Sequence, residues 1–150
     1  MNKLVAHTPT LDTSAYASGD LLADTKILTG ANPSGNGVTE LRSLVINDKD
    51  DQGVAFTVLL LDSNVSLGTI NAAPSITDAN ADKILGWIPV ATTDWVDLGG
   101  TRIATIRNIG LMVKGVSSRN LYVAIVNGTG TPTFTASGLV MRFGFFDPQF

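Results

Sequence analysis

The chain has 150 residues and a mass of 15.7 kDa, the size of one domain that can bury a core without a metal or disulfide. Charged residues make up only 15% of it, the net charge is −3 and cysteine is absent. These values exclude a disordered charged tail and thiolate chemistry, and they argue against a dedicated nucleic-acid-binding domain. No apolar run reaches secretory or membrane-spanning length, so we expect synthesis and retention in a cytosol.

Fifteen glycines, abundant threonine and little helical periodicity predict short strands joined by tight turns. Turn sequences such as Ser18-Gly19-Asp20 and residues 48–53 separate the apolar segments. We expect ten strands, at 3–8, 21–28, 38–47, 54–62, 84–90, 95–98, 103–113, 120–126, 132–136 and 138–146.

The pattern of apolar residues predicts how these strands pack. Leu139, Met141, Phe143 and Phe145 share one face, whereas the strand at 54–62 is apolar on both faces and is expected to be covered twice. We therefore predict an all-β fold, an antiparallel β-sandwich of the jelly-roll or Greek-key type.

Residues 1–150 are expected to form one such domain, with 1–18 as a candidate N-terminal arm. One short helix is predicted near 76–85, because Ser75 or Thr77 offers an N-cap and Gly86 a stop.

The only acidic cluster is Asp48-Lys49-Asp50-Asp51-Gln52-Gly53. Asp48 and Asp50 have the spacing of calcium ligands, and Gly53 follows where a sharp turn belongs. The twelfth position of such a loop is Leu59, which has no carboxylate to close the site. Asp48 and Asp50 are therefore a weak calcium candidate, and a polar hairpin turn is the favoured interpretation.

Other candidates for chemistry are weaker. His7 has no nucleophile motif near it, and Asp94 and Asp97 beside Trp95 resemble a sugar site only in residue type. Trp87 and Trp95 are expected to pack in the core more readily than to stack on sugars. The bases Arg102, Arg107, Lys114 and Arg119 fall within one stretch, which we interpret as scattered surface charge. We predict no catalytic residue, no cofactor and no enzymatic activity.

Aromatic residues near both ends point to contacts between subunits. Tyr16 lies in a weakly apolar entry segment that is long enough to reach a neighbour. Phe146 and Phe150 lie in the aromatic C-terminal sequence Phe145-Phe146-Asp147-Pro148-Gln149-Phe150. Phe150 is expected either to fold back on the core or to meet a neighbouring subunit, so these three residues form the predicted interface.

The order of several short motifs resembles a group of small β-sandwich virion proteins of tailed bacteriophages. The motifs are Thr8-Pro9-Thr10, the run from Thr13 to Asp20, the run from Leu44 to Gln52, Leu59-Leu60-Leu61-Asp62, the run from Ile76 to Gly86, the run from Asn120 to Val126, and Thr131-Pro132-Thr133-Phe134. The likeness spans nearly the whole chain, and it brings no catalytic residue with it.

The resemblance implies a structural virion protein made in the bacterial cytoplasm, most simply a decoration or cement protein on the outside of the head. Its implied partners are the major capsid protein and its own copies, with a trimer favoured and with no nucleic acid or membrane partner. Two alternatives stay open. A carbohydrate-binding or tail-associated adhesion module needs an exposed tryptophan, and a small hydrolase needs a pocket that joins His7 or an aspartate pair to a strained loop.

Overall fold

The computed structural model describes residues 2–33, 35, 37–116 and 118–148. Within these ranges no helix is both long enough and apolar enough to span a membrane. The elements in chain order are β1 (Asn2–His7), β2 (Leu21–Leu28), β3 (Val38–Asp48), β4 (Phe56–Leu61), α1 (Asp78–Ala81), β5 (Ile84–Val90), a 3-10 turn (Thr92–Asp94), β6 (Trp95–Asp97), β7 (Arg102–Ile106), β8 (Leu111–Lys114), β9 (Leu121–Asn127) and β10 (Leu139–Phe146).

The strands form two antiparallel sheets. Sheet A has the order β1-β10-β3-β7-β6, with β8 also paired to β3, and sheet B has the order β2-β9-β4-β5. The pairs are nested along the chain, because β1 pairs with β10, β2 with β9, β3 with β7 and β4 with β5. Successive pairs alternate between the sheets, which is the double Greek key of a jelly roll. The predicted fold class is confirmed.

The core lies between the sheets and depends on the two-residue period of the strands. In β10 the side chains of Leu139, Met141, Phe143 and Phe145 all face inward and are buried. They pack with the inward side chains of β3 and of sheet B in a single apolar cluster. The predicted inner face of this strand therefore matches the structure.

Sheet B is also covered on its outer face, by residues 62–83 between β4 and β5, which we call the strap. Leu67 of the strap is fully buried against Leu21, Leu61 and Ala124. The carboxylate of Asp24 holds the strap by accepting hydrogen bonds from the Leu67 N–H (2.8 Å) and from the Ser66 hydroxyl (2.7 Å). This second core explains why the β4 sequence is apolar on both faces.

Two predicted strands differ from the structure. The segment 103–113 is divided into β7 and β8, because Asn108 and Gly110 adopt left-handed backbone conformations (φ 54° and 68°). Residues 132–136 form no strand. The carbonyls of Pro132 and Ala136 accept isolated backbone hydrogen bonds from the N–H groups of Tyr16 and Leu11.

The predicted helix is present but shorter, a single turn at Asp78–Ala81. Thr77 caps it by accepting a hydrogen bond from the Asn80 N–H at 3.2 Å. Residues 84 and 85, which the prediction placed in the helix, belong to β5.

Residues 2–18 lie within the sandwich and do not extend from it as an arm. β1 pairs with β10 along its whole length, and Leu11 and Tyr16 are buried in the core. Tyr16 is only 1% exposed, its ring packs edge-on against Phe134, and its hydroxyl donates to the Leu22 carbonyl and accepts from the Asp12 N–H.

Replacing Tyr16 by phenylalanine should lower the free energy of unfolding by about 1–3 kcal/mol, because the buried Leu22 carbonyl loses its partner. Urea denaturation followed by circular dichroism measures this loss. Tyr122→Phe is the matched control, since the Tyr122 hydroxyl makes no hydrogen bond within the described residues, and it should change stability by under about 0.5 kcal/mol. Equal stability of the two variants would contradict the packed position of the entry segment.

Candidate functional site

The side chain of Asp48 organises the turn between β3 and β4. Its Oδ1 accepts from the Asp50 N–H at 3.0 Å, and its Oδ2 accepts from the N–H groups of Gln52 and Gly53 at 2.8 and 2.7 Å. The residue is 1% exposed. A carboxylate that accepts three backbone hydrogen bonds is acting as a turn cap, so the geometry supports the polar hairpin turn.

The next two carboxylates of this turn bind other parts of the chain. Asp50 accepts from the N–H (2.8 Å) and hydroxyl (3.1 Å) of Thr135, which fastens the turn to the β9–β10 connection. Asp51 accepts from Nε of Arg102 at 2.6 Å, and this contact raises the pKa of Arg102. Among the described residues no three histidine, aspartate or glutamate side chains are arranged to hold a metal ion.

His7 lies at the end of β1, opposite Met141 of β10, and is half-buried. Burial lowers its pKa because the charged imidazolium is poorly solvated there, and the nearby positive charge of Lys26 lowers the pKa further. The neutral ring is therefore the form that the fold favours.

The residues considered as a sugar site serve the fold. Trp95 is 8% exposed, its ring packs edge-on against Phe56, and its indole N–H donates to the Val54 carbonyl at 2.9 Å. Asp94 accepts from the Ala91 N–H, and Asp97 accepts from the Gly99 N–H, both at 2.8 Å. The two acids thus stabilise turns on either side of β6. Trp87, in contrast, is 61% exposed on β5.

The three predicted interface residues occupy different environments. Tyr16 is inside the core of its own chain, so it has no surface to offer a neighbour. Phe146 is partly exposed on β10, and the guanidinium of Arg42 lies over its ring, with Cζ 3.8 Å from the ring centroid. Phe150 lies outside the described residues. The four predicted bases also separate, since Arg102 binds Asp51 while Arg107, Lys114 and Arg119 are exposed.

The exposed large apolar side chains lie mostly on strands at the edges of the two sheets, a feature that sequence reasoning missed. Five are on edge strands: Leu4 on β1, Ile27 on β2, Trp87 on β5, Val96 on β6 and Met112 on β8. In the sequence, each of them is an apolar residue within a short strand, and a buried residue of such a strand looks the same. The strand order and the face that each residue occupies separate the two cases.

Asp48→Asn should lower the free energy of unfolding by about 1–3 kcal/mol, because an amide cannot accept all three backbone hydrogen bonds. Urea denaturation is the measurement, and Asp82→Asn, at an exposed acid, is the control.

We also expect calcium to leave the melting temperature of the unmodified protein unchanged, since the Asp48 oxygens already accept hydrogen bonds from backbone N–H groups. A rise in melting temperature with calcium that Asp48→Asn abolishes would contradict the turn-cap role.

The lowered pKa of His7 predicts a loss of stability on acidification. Below pH of about 6.5 the unfolded chain binds a proton that the folded chain resists, so the free energy of unfolding falls as the pH falls. Because the chain has one histidine, His7→Gln should flatten the profile between pH of about 7 and 5.5. Melting curves across this interval test it, and parallel profiles for the two proteins would refute it.

Neither a protein-family model nor a curated protein matches this sequence. Among solved structures, the chain is similar to the coat protein of Tobacco streak virus, with 14% identity over 97% of this chain and 87% of that chain and a TM-score of 0.33. It is also similar to a chain of Turnip yellow mosaic virus (14% identity, 100% and 98% coverage, TM-score 0.32) and to a picornavirus capsid chain from equine rhinitis A virus (9% identity, 97% and 70% coverage, TM-score 0.36). Likenesses of this degree concern the fold alone.

Proposed function

We propose that the chain is a non-enzymatic structural protein of a virion, a capsid decoration protein that binds the outside of a bacteriophage head. It stabilises the shell by repeated contacts with the major capsid protein and with its own copies. The observation that carries the proposal is the set of large apolar side chains exposed on edge strands of both sheets. Large apolar side chains left in solvent are stabilised when a partner protein buries them.

The rigidity of the fold supports this role. The β3–β4 turn is bound to the β9–β10 connection through Asp50, and the strap is bound to β2 through Asp24. The carboxylates of Asp50 and Asp24 therefore hold these connections in place by hydrogen bonds. A protein that clamps shell subunits against the pressure of packaged DNA needs such fixed loops, because a mobile loop would unfold locally before the contact between the proteins breaks.

The edge strands favour contact through side chains over strand addition. Pro89 interrupts the hydrogen-bond donors of β5, while Lys3 on β1 and Lys114 on β8 place charge along the edges of sheet A. Proline and lysine at such edges oppose open-ended sheet growth. Closed assemblies such as a trimer are compatible with this arrangement.

The energetic contribution of each contact is small and additive over many copies. Burying one of the exposed apolar side chains contributes about 1–2 kcal/mol. Repetition over a symmetric shell converts weak contacts into firm attachment, because each subunit is held at several points at once.

A second candidate function, a carbohydrate-binding or tail-associated adhesion module, is favoured by one observation. Trp87 exposes its ring on β5, as a sugar-stacking platform requires, whereas Trp95 is buried. Glycan-array binding that Trp87→Ala abolishes would support this function, and unchanged binding in Val96→Ala would serve as its control.

The decoration proposal predicts where the protein lies in the particle. Difference maps from electron cryomicroscopy, between particles with and without this protein, should show clusters of density on the outside of the head. Particles without it should release DNA at a lower temperature, and the purified protein should have the mass of an oligomer by light scattering. Density confined to the tail would favour the adhesion module, and absence from the particle would refute both.

A further inference from the structure

The charges of the chain are divided between the two ends of the sandwich. No acidic residue occurs between Asp97 and Asp147, whereas five bases do. β3, with 11 residues, runs roughly 35 Å from one end to the other, because a strand advances roughly 3.3 Å per residue. Charges at opposite ends therefore lie several Debye lengths apart at physiological salt, where this length is about 8 Å.

One end, which we call the basic end, lies where β3 begins and β2 ends. Lys114 is paired with the first residue of β3, and Lys3 extends to the connection after β2, with Nζ 3.6 Å from where a Cβ on Gly30 would lie. The Arg119 carbonyl accepts from the Asn32 N–H at 3.1 Å, which brings the β8–β9 connection to the same place. The exposed bases of this end are Lys3, Lys26, Lys114 and Arg119.

The positive charge of the basic end is not cancelled by neighbouring acids. None of its four bases forms an ion pair with another described residue. Glu40 of β3 is paired with Arg42 at 3.2 Å, and Asp147 is buried. The remaining acids beyond the middle of the strands are on the strap, over the outer face of sheet B: Asp62, Asp78 and Asp82.

The opposite end, which we call the acidic end, holds the β3–β4 turn and the turns on either side of β6. Its only bases are Lys49 and Arg102, and its carboxylates are Asp12, Asp20, Asp48, Asp50, Asp51, Asp94 and Asp97. Several of these carboxylates accept from neutral donors, as Asp20 does from the Ala17 N–H (2.8 Å) and Asp12 from the Asn71 amide (2.7 Å). Such a bond fixes a carboxylate without cancelling its charge, so this end keeps a net negative charge.

We infer that the basic end of one copy docks on the acidic end of a second copy, so that copies of this chain associate head to tail. The inference rests on the proposed function, since it names the surfaces by which the copies meet. The contact joins two different surfaces, and each copy offers one of each. Opposite charges steer these ends together, whereas like ends repel each other.

The same charges argue against a nucleic acid as the occupant of the basic end. A domain that binds nucleic acid carries an excess of bases, whereas this chain has a net charge of −3. Phosphates would be repelled by the acidic end, while a second copy uses both ends. A second copy is therefore the occupant that the charge distribution favours.

Self-association should weaken as salt is added, because salt screens exposed charges. Between about 50 and about 500 mM NaCl we expect the dissociation constant to rise by about tenfold or more. Sedimentation equilibrium measures it, with light scattering as a second measure of mass. A dissociation constant that does not rise with salt would overturn the inference.

Two sets of substitutions each alter one end. Lys114→Glu with Arg119→Glu reverses the charge of two bases at the basic end. Thr129→Lys, Thr131→Lys and Ser137→Lys, all at exposed positions of the β9–β10 connection, add positive charge at the acidic end and leave every turn-holding carboxylate in place. Each set should weaken self-association by about tenfold or more at about 150 mM salt.

Arg107→Glu with Arg142→Glu is the matched control, because it makes the same change of charge as the basic-end set. Both positions are exposed midway along sheet A, since Arg142 is paired with Val45 and Arg107 follows the residue paired with Leu44. They lie roughly 10 Å or more from either end, beyond one Debye length at this salt, so the control should change self-association by less than about threefold. Circular dichroism checks that each variant is folded.

Mixing the two altered proteins tests the head-to-tail arrangement directly. The basic-end variant keeps its acidic end, and the acidic-end variant keeps its basic end. Together they should form a complex of two chains that grows no further, because the remaining ends are altered. If mixing restores no association, the inference is wrong.

The results distinguish this inference from the proposed function. Association that neither salt nor either set of substitutions weakens overturns the two ends as the contact and leaves decoration intact. Binding of a duplex DNA fragment that Lys114→Glu with Arg119→Glu abolishes, without association of copies, assigns the basic end to a polyanion and overturns the inference. A chain that stays monomeric at low salt overturns it as well, and overturns the proposed function too if the chain does not bind shells.

Discussion

The pairing of β10 with β3 is the constraint on which the rest of the structure depends. β10 lies between β1 and β3, and every second residue of it enters the core. Because side chains alternate strictly along a strand, a shift of one residue would turn Phe143 and Phe145 toward solvent. The register is adjusted once, between Gly144 and Phe145, where a side chain on Gly144 would overlap with Ser43. Glycine at this position lets the two central strands stay close while the sheet bends.

The same chain uses few charges, and it places several of them where loops must be fixed. Asp24, Asp48 and Asp50 each accept hydrogen bonds from backbone N–H groups, and each connects or closes a segment outside the strands. A charged acceptor makes stronger bonds to N–H groups than a neutral one, so one residue can hold a turn that would otherwise be loose. Acidic clusters of this kind resemble metal-binding sites in sequence, although their carboxylate oxygens already accept hydrogen bonds within the fold.

Local patterns were sufficient for part of the fold and of the candidate site. The observed bounds of β2 and β5 equal the predicted ones, and the inner face of β10 follows from its alternation. The break at 107–110 was not predicted. Asn108 and Gly110 adopt left-handed conformations there, and a single Asn and a single Gly are the only sequence features that indicate such a turn. In the segment 132–136, where a strand was predicted, Thr135 binds Asp50, and a contact between residues so far apart in sequence is not visible in a local pattern. Trp87 and Trp95 both lie on strands at the edge of a sheet, and their different exposure depends on which face of the strand each occupies: Trp95 faces the core, whereas Trp87 faces away from it.

The two faces of the sandwich differ in what covers them, and this difference directs any contact. The strap covers part of the outer face of sheet B with its own small core around Leu67, and it leaves Trp87 and Ile27 exposed at the two edges of that face. The outer face of sheet A has no equivalent cover among the described residues, and it carries Arg142 hydrogen-bonded to Asn47 beside the exposed Leu4. Surface that the chain does not cover for itself is thus concentrated on sheet A and on the edges of both sheets. A partner that buried this surface would gain apolar contact without displacing any part of the fold, and this is the property that a building block of a larger assembly requires.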